Sequence, residues 1–510
     1  MTNMFRLTRC TALALCLPAS AAFADLTGPQ VWSDWQSYLE STGYTVTSSQ
    51  VIDGDTLTVS DLNMELALGE GPSDGIVRVE MERLRFVEQG DGSVVIELPD
   101  TYAMSVTMSP DMGENVDARL TLDQTDPVMT ATGDADNVTY DYTSPSVSMT
   151  LTSLAVDGMP IGSDIAQIEL TMTDLAYVTR TTAGELRSIE QAIDMAKLDY
   201  DIRFADPEGE GAFKLVGAMQ GLVFDGNADL PLDADPQDTN DMLNKGFAFR
   251  GGFTSAGSAY DLSFSSPDGS GTANSMSEGG AFNMAISTAG LVYDVSQKNV
   301  DMNLLFTEFP LPMSFSAAEL GTSIMMPLQK SPDPQEFGLG VTLGDLTMSD
   351  MIWGLFDPAG QLPRDPMSLV VDLTGQAKVL FDFLDPAQAA ILETTGAAPG
   401  ELTALTLNVL ELNAAGASLT GEGDFTFDNS DMVTFDGLPR PTGVLDLMLQ
   451  GGNGLLDTLV GMGLVPEDDA MGARMMMGMF SVPGDAPDTL TSRIEVTPEG
   501  QVLANGQRIR

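Results

Sequence analysis

The sequence predicts an α+β fold, predominantly β: an elongated, twisted antiparallel sheet covered by a few short helices. Three observations predict it. Apolar and polar residues alternate with period two through most of the chain, as in Val77, Val79 and Met81 against Arg78, Glu80 and Glu82. Clusters of Gly, Asp, Asn and Ser break the alternation where hairpins would turn, as at Gly90-Asp91-Gly92. Helical spacing appears in only a few short stretches.

Residues 1–24 read as an export signal. Arg6 and Arg9 give a basic start, 11–17 a short apolar run, and Ala22-Phe23-Ala24 a small-x-small cleavage site before Asp25. The run is too short to span a bilayer, so no stable transmembrane anchor is expected after cleavage, and the expected location is periplasmic. Bulky Leu15 directly before Cys16 argues against a lipoprotein site. Cys10 and Cys16, the chain's 2 cysteines, both fall in this segment, so the exported part depends on its core and not on disulfides.

The chain carries 74 acidic and 22 basic residues, a formal net charge of −52. Nucleic acid is excluded as a partner, because phosphates need the opposite sign. Anionic headgroups are disfavoured for the same reason. The charge suits a soluble acidic surface, or a calcium-binding one.

The N-terminal β-rich region, 25–235, opens with a helix over 26–42. Thr27-Gly28-Pro29-Gln30 spells a capping box, and Leu26 and Val31 are placed as a hydrophobic staple. Trp32, Trp35 and Leu39 mark one face, and Gly43 stops the helix. Strands follow at 56–59, 77–81, 94–96, 120–122, 138–142, 147–151, 168–172, 198–204 and 213–223. Residues 186–197 fit either period and are read as strand. One phrase recurs, apolar-x-apolar-x-Asp-Leu, ending at Asp61-Leu62, Asp174-Leu175 and Asp345-Leu346. The Asp breaks the alternation, and a bulge there would return the next apolar residue to the core face.

Residues 229–241 read as a linker. Its Asp233, Asp235 and Asp238 are candidate calcium ligands, although they do not fit the twelve-residue calcium loop. A middle β region, 242–330, is followed by a second boundary at 329–337 containing Pro332 and Pro334. The C-terminal β-rich module, 337–510, holds a short helix capped by Ser349 and carrying Ile352, Trp353 and Phe356. Farther on, a helical hairpin at 454–480 interrupts the strands, with Asn453 as cap, Gly463 as left-handed stop and Pro466 opening the second helix. Met471, Met475 and Met479 fall at i, i+4 and i+8, and are expected to cover an apolar sheet face as a pliable lid over an apolar ligand. Ile494 to Leu503 reads as a closing hairpin.

Asp350-Met-Ile-Trp353-Gly-Leu-Phe-Asp357-Pro358, Leu362-Pro-Arg-Asp-Pro366 and Gly421-Glu-Gly-Asp-Phe-Thr-Phe-Asp-Asn429, with Val31-Trp32-x-x-Trp35, resemble the alphaproteobacterial family called domain of unknown function 2125. That resemblance covers most of the chain and brings no activity with it. More loosely, the Asp-Leu strand phrases look like envelope proteins of the AsmA type, whose long curved sheets imply lipid transport or envelope assembly.

The chain has no histidine, which removes Ser-His-Asp and Cys-His nucleophile systems and the usual tetrahedral zinc sites. Gly71-Pro-Ser73-Asp-Gly75 spells a nucleophile elbow, but without a histidine base it reads as a turn. No phosphate loop is present, and no cofactor is implied. The expectation is a non-catalytic exported protein that binds an apolar ligand, such as lipid, or an envelope protein. The alternatives are a carboxylate-based hydrolase acting on glycans, a calcium-binding structural protein and an outer-membrane barrel. The C-terminal Arg508-Ile509-Arg510 and the scarcity of Trp and Tyr speak against the barrel.

Overall fold

The computed structural model describes residues 25–510 apart from 69–74, 109–113, 207–208, 210, 236–237, 310 and 397, with no side chain described at 386, 387, 389 and 393. Residues 1–24, read above as an export signal and holding both cysteines, and most of 71–75, read above as a turn, lie outside the described residues. The described residues form six helices and one 27-stranded antiparallel sheet.

Helix α1 (Gly28–Ser41) precedes the meander β1 (Thr45–Asp53), β2 (Thr56–Ala67) and β3 (Ile76–Glu88). Two broken rungs follow: β4 (Val94–Glu97) with β5 (Thr101–Met108), then β6 (Val116–Thr125) with β7 (Val128–Gly133). The longest strands are next: β8 (Asn137–Val156), with short β9 (Met159–Ile161) beside it, β10 (Ala166–Thr182), β11 (Leu186–Ala205) and β12 (Ala212–Pro231). Beyond α2 (Thr239–Asn244) lie two more broken rungs, β13 (Ala248–Ser255) with β14 (Gly257–Ser266), and β15 (Gly269–Ser277) with β16 (Gly280–Ser287). The sheet continues through β17 (Gly290–Phe306), β18 (Met313–Met326), β19 (Gln335–Met348), helix α3 (Asp350–Phe356), β20 (Met367–Val379), helix α4 (Pro386–Thr395), β21 (Gly400–Ala414), β22 (Ala417–Asp428) and β23 (Arg440–Gln450). Helices α5 (Gly452–Gly461) and α6 (Glu467–Phe480) precede β24 (Val482–Pro483), β25 (Thr489–Val496), β26 (Val502–Ala504) and β27 (Gln507–Arg508).

Successive rungs, whole or broken, pair with one another, so one sheet includes every strand from β1 to β27. It also crosses both expected domain boundaries. β12 pairs with β13 through Asp229↔Ala248, and β18 pairs with β19 through Met325↔Gly338. The strands on either side of the segments 229–241 and 329–337 are thus paired in one sheet. The ambiguous 186–197 is strand, the start of β11.

All three Asp of the recurring phrase take left-handed backbone angles: φ is 51° at Asp61, 51° at Asp174 and 49° at Asp345. On each strand the apolar side chains then resume on the same face, as Val59 and Leu62 do on β2, both buried in the core. Two of these sites shift the register, opposite Thr47/Ser49 and at Leu343/Leu346. At Asp174 the ladder keeps its register because both neighbours are interrupted at the same level. Thr173↔Ser146 and Leu175↔Ser144 flank Pro145 on β8, and Met195↔Leu222 and Lys197↔Gln220 flank Ala196 on β11 and Gly221 on β12. Farther along, the line passes between β13 and β14 at Ala256, whose N–H donates to Gln220 O. It then passes through Asn299 of β17 (φ 47°). A seam of aligned interruptions thus crosses the sheet from β1 to β19. Extra residues bend a strand locally, and aligned ones bend the sheet along a line.

Asp is tolerated at such a position, whereas a side chain branched at Cβ meets the following carbonyl. Asp174→Val is expected to lower stability by about 1–2 kcal/mol, and Asp174→Gly to leave it within about 0.5 kcal/mol, as read by urea denaturation. Equal losses in the two variants would show that the seam does not depend on the backbone angle.

The accessible surface is 29153 Å² for a chain of 54.0 kDa. A compact monomer of that mass would expose about 18,000 Å². The excess is well beyond what residues 1–24 could contribute, so a large part of the sheet lacks a second layer. The buried core is local. It gathers Leu26, Val31 and Trp32 of the N-terminal segment with Leu57, Val59, Leu84, Phe86, Val94, Ile96, Met129 and Val138 of the first strands. The start of α1 follows from its residues. Thr27 N–H donates to Gln30 Oε1 (2.9 Å), and Leu26 and Val31 are both buried. Gly28 sits so close to the sheet that a Cβ there would lie 3.1 Å from Phe86 Cβ.

Candidate functional site

One face of the sheet is apolar almost from end to end. The register places Tyr142, Tyr177, Ile193, Phe224, Phe253, Phe282 and Val295 side by side on successive strands. The row continues through Thr322, Val341, Val371, Leu410, Gly421 and Leu447. The adjacent row on the other face reads Ala192, Asp225, Gly252, Asn283, Asp294, Ser323, Gly340 and Asp372. Alternation of strand side chains separates the two rows. From Phe224 to Val371 the apolar row is neither buried nor fully exposed. Phe253 and Phe282 stack at 5.4 Å, and Tyr293 meets Phe282 edge-on at 5.3 Å.

At the N-terminal end this face runs under α1 into a cavity of about 380 Å³. That lies at the small end of the ~300–1,000 Å³ typical of small-molecule sites. Its apolar walls are Trp35 and Leu39 of α1, with Met64, Met129, Tyr177, Ile189 and Ile193 of the sheet. Its polar end is a buried ion pair. Arg187 of β11 donates from Nη2 to Asp34 Oδ1 (2.5 Å) and from Nη1 to Asp34 O (3.2 Å). The two side chains are 6% and 14% exposed. Tyr140 OH donates to Asp34 Oδ2 (2.6 Å), and Tyr38 lies 5.5 Å from the guanidinium. Arg187 Nε is buried and has no protein partner. A larger hollow of about 900 Å³ borders Arg180, Glu190, Asp225, Asn227 and Arg250. Its lining is mixed, with Ile189, Phe249, Met284, Ile286 and Val292 beside these polar groups.

Tyrosines near the cavity share one electrostatic signature. Burial, then the Asp34 carboxylate, pushes Tyr140 far above the ordinary phenol range. Burial likewise raises Tyr177 and Tyr38, and pushes Tyr102 up to about 12. Tyr142 and Tyr177 stack at 4.7 Å. An unfolded tyrosine ionises near pH ~10. Above that pH the unfolded chain binds fewer protons than the native one, so stability falls as pH rises. We expect stability from these groups to be fully present below about pH 10 and lost as pH climbs through the raised native values. The check is the urea midpoint against pH, with tyrosinate absorbance followed in parallel. Ionisation of all the tyrosines while the chain stays folded near pH ~10 would contradict the burial.

The sequence-predicted site residues fall elsewhere. Met471, Met475 and Met479 share one side of α6, as their spacing requires, but that side is turned outward. They are 59%, 66% and 56% exposed. The contact with the sheet is made near the helix end, where Ser492 of β25 donates to Phe480 O (2.6 Å). Asn453 does not cap α5. The N-cap is Gly451, and Asp488 accepts from the N–H groups of Asn453 (3.2 Å) and Gly454 (2.9 Å). Among the described residues no group of three or more His, Cys, Asp or Glu side chains is arranged to hold a metal ion. Asp238 instead caps α2 by accepting from Asp241 N–H (3.0 Å), and Lys245 Nζ donates to Asp233 O (2.6 Å).

The Asp350–Pro366 motif is a structural staple. Asp357, fully buried, accepts from the N–H groups of Gln361 (2.8 Å) and Leu362 (2.9 Å), which hold its carboxyl below the ordinary range. Arg364 lies over the Trp353 ring at 5.7 Å and pairs with Asp350. Among the described residues Glu65, Asp91, Asp134, Asp241, Asp428, Asp431 and Asp488 are also held below their ordinary acidity range by hydrogen bonds.

No protein-family model matches the chain, and no curated protein matches it. The family resemblance therefore stands on the quoted residues alone.

Proposed function

We propose that the chain is an exported, non-catalytic protein of the cell envelope that shelters acyl chains along its apolar sheet face. The observation that supports this reading is the continuous, half-exposed row from Tyr177 through Phe224, Phe253 and Phe282 to Val371. Exposed apolar surface on this scale marks a binding surface. Each methylene buried there contributes about 0.8 kcal/mol, so six of them give about 5 kcal/mol. The net charge of −52 sets which lipids fit: a neutral or zwitterionic amphiphile approaches without repulsion, an anionic one does not.

The test is native mass spectrometry of the protein purified from its own envelope after gentle extraction. A retained acyl species is expected, as is enhanced fluorescence of the neutral probe N-phenyl-1-naphthylamine. Phe253→Asp with Phe282→Asp should abolish the probe signal. A protein that carries no lipid and leaves the probe dark overturns the reading.

A further inference from the structure

We propose that Met475, Met476 and Met479 of α6 form a binding site for a soft monovalent cation, Cu(I), through their three thioether sulfurs. The inference is independent of the acyl-binding reading, and its failure would leave that reading untouched.

The packing of α6 singles these residues out. Ala470 is buried, and Ala473, Met477 and Phe480 follow it at intermediate exposure. Their spacing is that of a helix stripe, so the inward side is already filled. Arg474 pairs with Asp457 of α5, which fixes the rotation of the helix. Met475, Met476 and Met479 lie outside the stripe and are 66%, 60% and 56% exposed. Core packing does not account for them, and their side chains are open to a ligand. Other strongly exposed methionines, such as Met159 of β9 and Met276 of β15, are the only methionines on their strands.

The spacing lets the sulfurs meet. Residues three or four apart on a helix have Cβ atoms about 5–6 Å apart. Met479 stands in that relation to both Met476 and Met475. The three rotatable bonds of each side chain allow the sulfurs to converge. Met471 is eight residues from Met479, about 12 Å along the axis, and falls outside the set.

The donor type decides the ion. Thioethers are soft, uncharged ligands that select Cu(I) over the hard cations Ca²⁺ and Mg²⁺. The chain has no histidine, and both cysteines lie in residues 1–24, so beyond that segment no imidazole or thiolate competes for the ion. Three neutral donors leave the positive charge of the ion in place. The net charge of −52 favours it, as do Glu467, Asp468 and Asp469 in the first turn of α6. Arg474, the one cation on the helix, is neutralised by Asp457.

The experiment is calorimetric titration of the full chain with tetrakis(acetonitrile)copper(I) under nitrogen. A Cys10→Ser, Cys16→Ser background keeps both thiols out of the reaction. This parent is expected to bind a single Cu(I), which an excess of Ca²⁺ does not displace. Replacing Met475, Met476 and Met479 together by Leu keeps their volume and apolarity, so the circular dichroism should not change. Cu(I) affinity should fall at least about tenfold in that variant. Met159→Leu with Met276→Leu should leave the affinity as it was. X-ray absorption of the copper-loaded parent should show sulfur neighbours that the triple variant lacks. A triple variant that holds Cu(I) as tightly as the parent would overturn the proposal. So would an equal loss in the Met159 and Met276 variant, because any exposed methionine would then serve. Displacement by Ca²⁺ would place the ion on carboxylates, and a parent that takes up no Cu(I) has no site; either result also overturns it.

Discussion

Replacing Trp32 by alanine is expected to cost about 3–5 kcal/mol of stability. The indole is 2% exposed and lies at the centre of the one large buried cluster, 6.0 Å from the Phe86 ring. Its loss leaves a cavity between α1 and strands β2 and β3, which cannot collapse because Gly28 already holds the helix against Phe86 and Leu57. Trp35 is only half-buried, against Phe86 at 5.6 Å and Tyr140 at 6.1 Å, so its replacement should cost clearly less. Trp32→Phe is a useful contrast. The indole Nε1–H is buried without a partner, and phenylalanine removes that defect while keeping most of the ring volume. Its loss should be well under half that of Trp32→Ala. Urea denaturation followed by circular dichroism gives all three values. Equal costs for Trp32→Ala and Trp35→Ala would mean that the helix is not seated as described.

Much of this seating is legible in the sequence, because its signals are local. The Thr27–Gln30 contact, the Leu26/Val31 staple and the spacing of Trp32 and Trp35 all lie within one helix. The bulges at Asp61, Asp174 and Asp345 are legible for the same reason: each interrupts an alternation that resumes one residue later. Their alignment into a seam is not. Gly221, Asn299 and Pro145 carry the same interruption without the Asp-Leu spelling, and only the strand register shows them level with Asp174. A turn between two long strands has the composition of a linker, and strand pairing across it leaves no local trace. Met471, Met475 and Met479 obey helical spacing, yet spacing fixes only that they share a side of α6. Which side meets the sheet is decided by Ala470, buried, and by Ser492 reaching Phe480 O. The ion pair of the cavity left no signal at all. Arg187 and Asp34 are separated by 153 positions, and a single arginine in a strand of mixed polarity looks like a solvated one.

That ion pair carries the second large expected effect. Arg187→Met should destabilise the chain by about 3–5 kcal/mol, since it leaves the Asp34 carboxylate buried without its cation. Asp34→Leu should cost a similar amount, with Tyr140 OH losing its acceptor as well. The double variant, Asp34→Leu with Arg187→Met, should be far less damaged than the sum of the two. It removes both charges and fills the space with side chains of similar length, and such replacements are often neutral. The pair joins α1 to β11, far along the sheet from the strands that bury Trp32, so it fixes where the C-terminal half of the helix lies over the cavity. The measurement is a double-mutant cycle by urea denaturation, in which the coupling between the two positions should reach several kcal/mol. Arg187→Met within about 1 kcal/mol of wild type would mean that water reaches Asp34, and the cavity would then be an open cleft with no dry polar end.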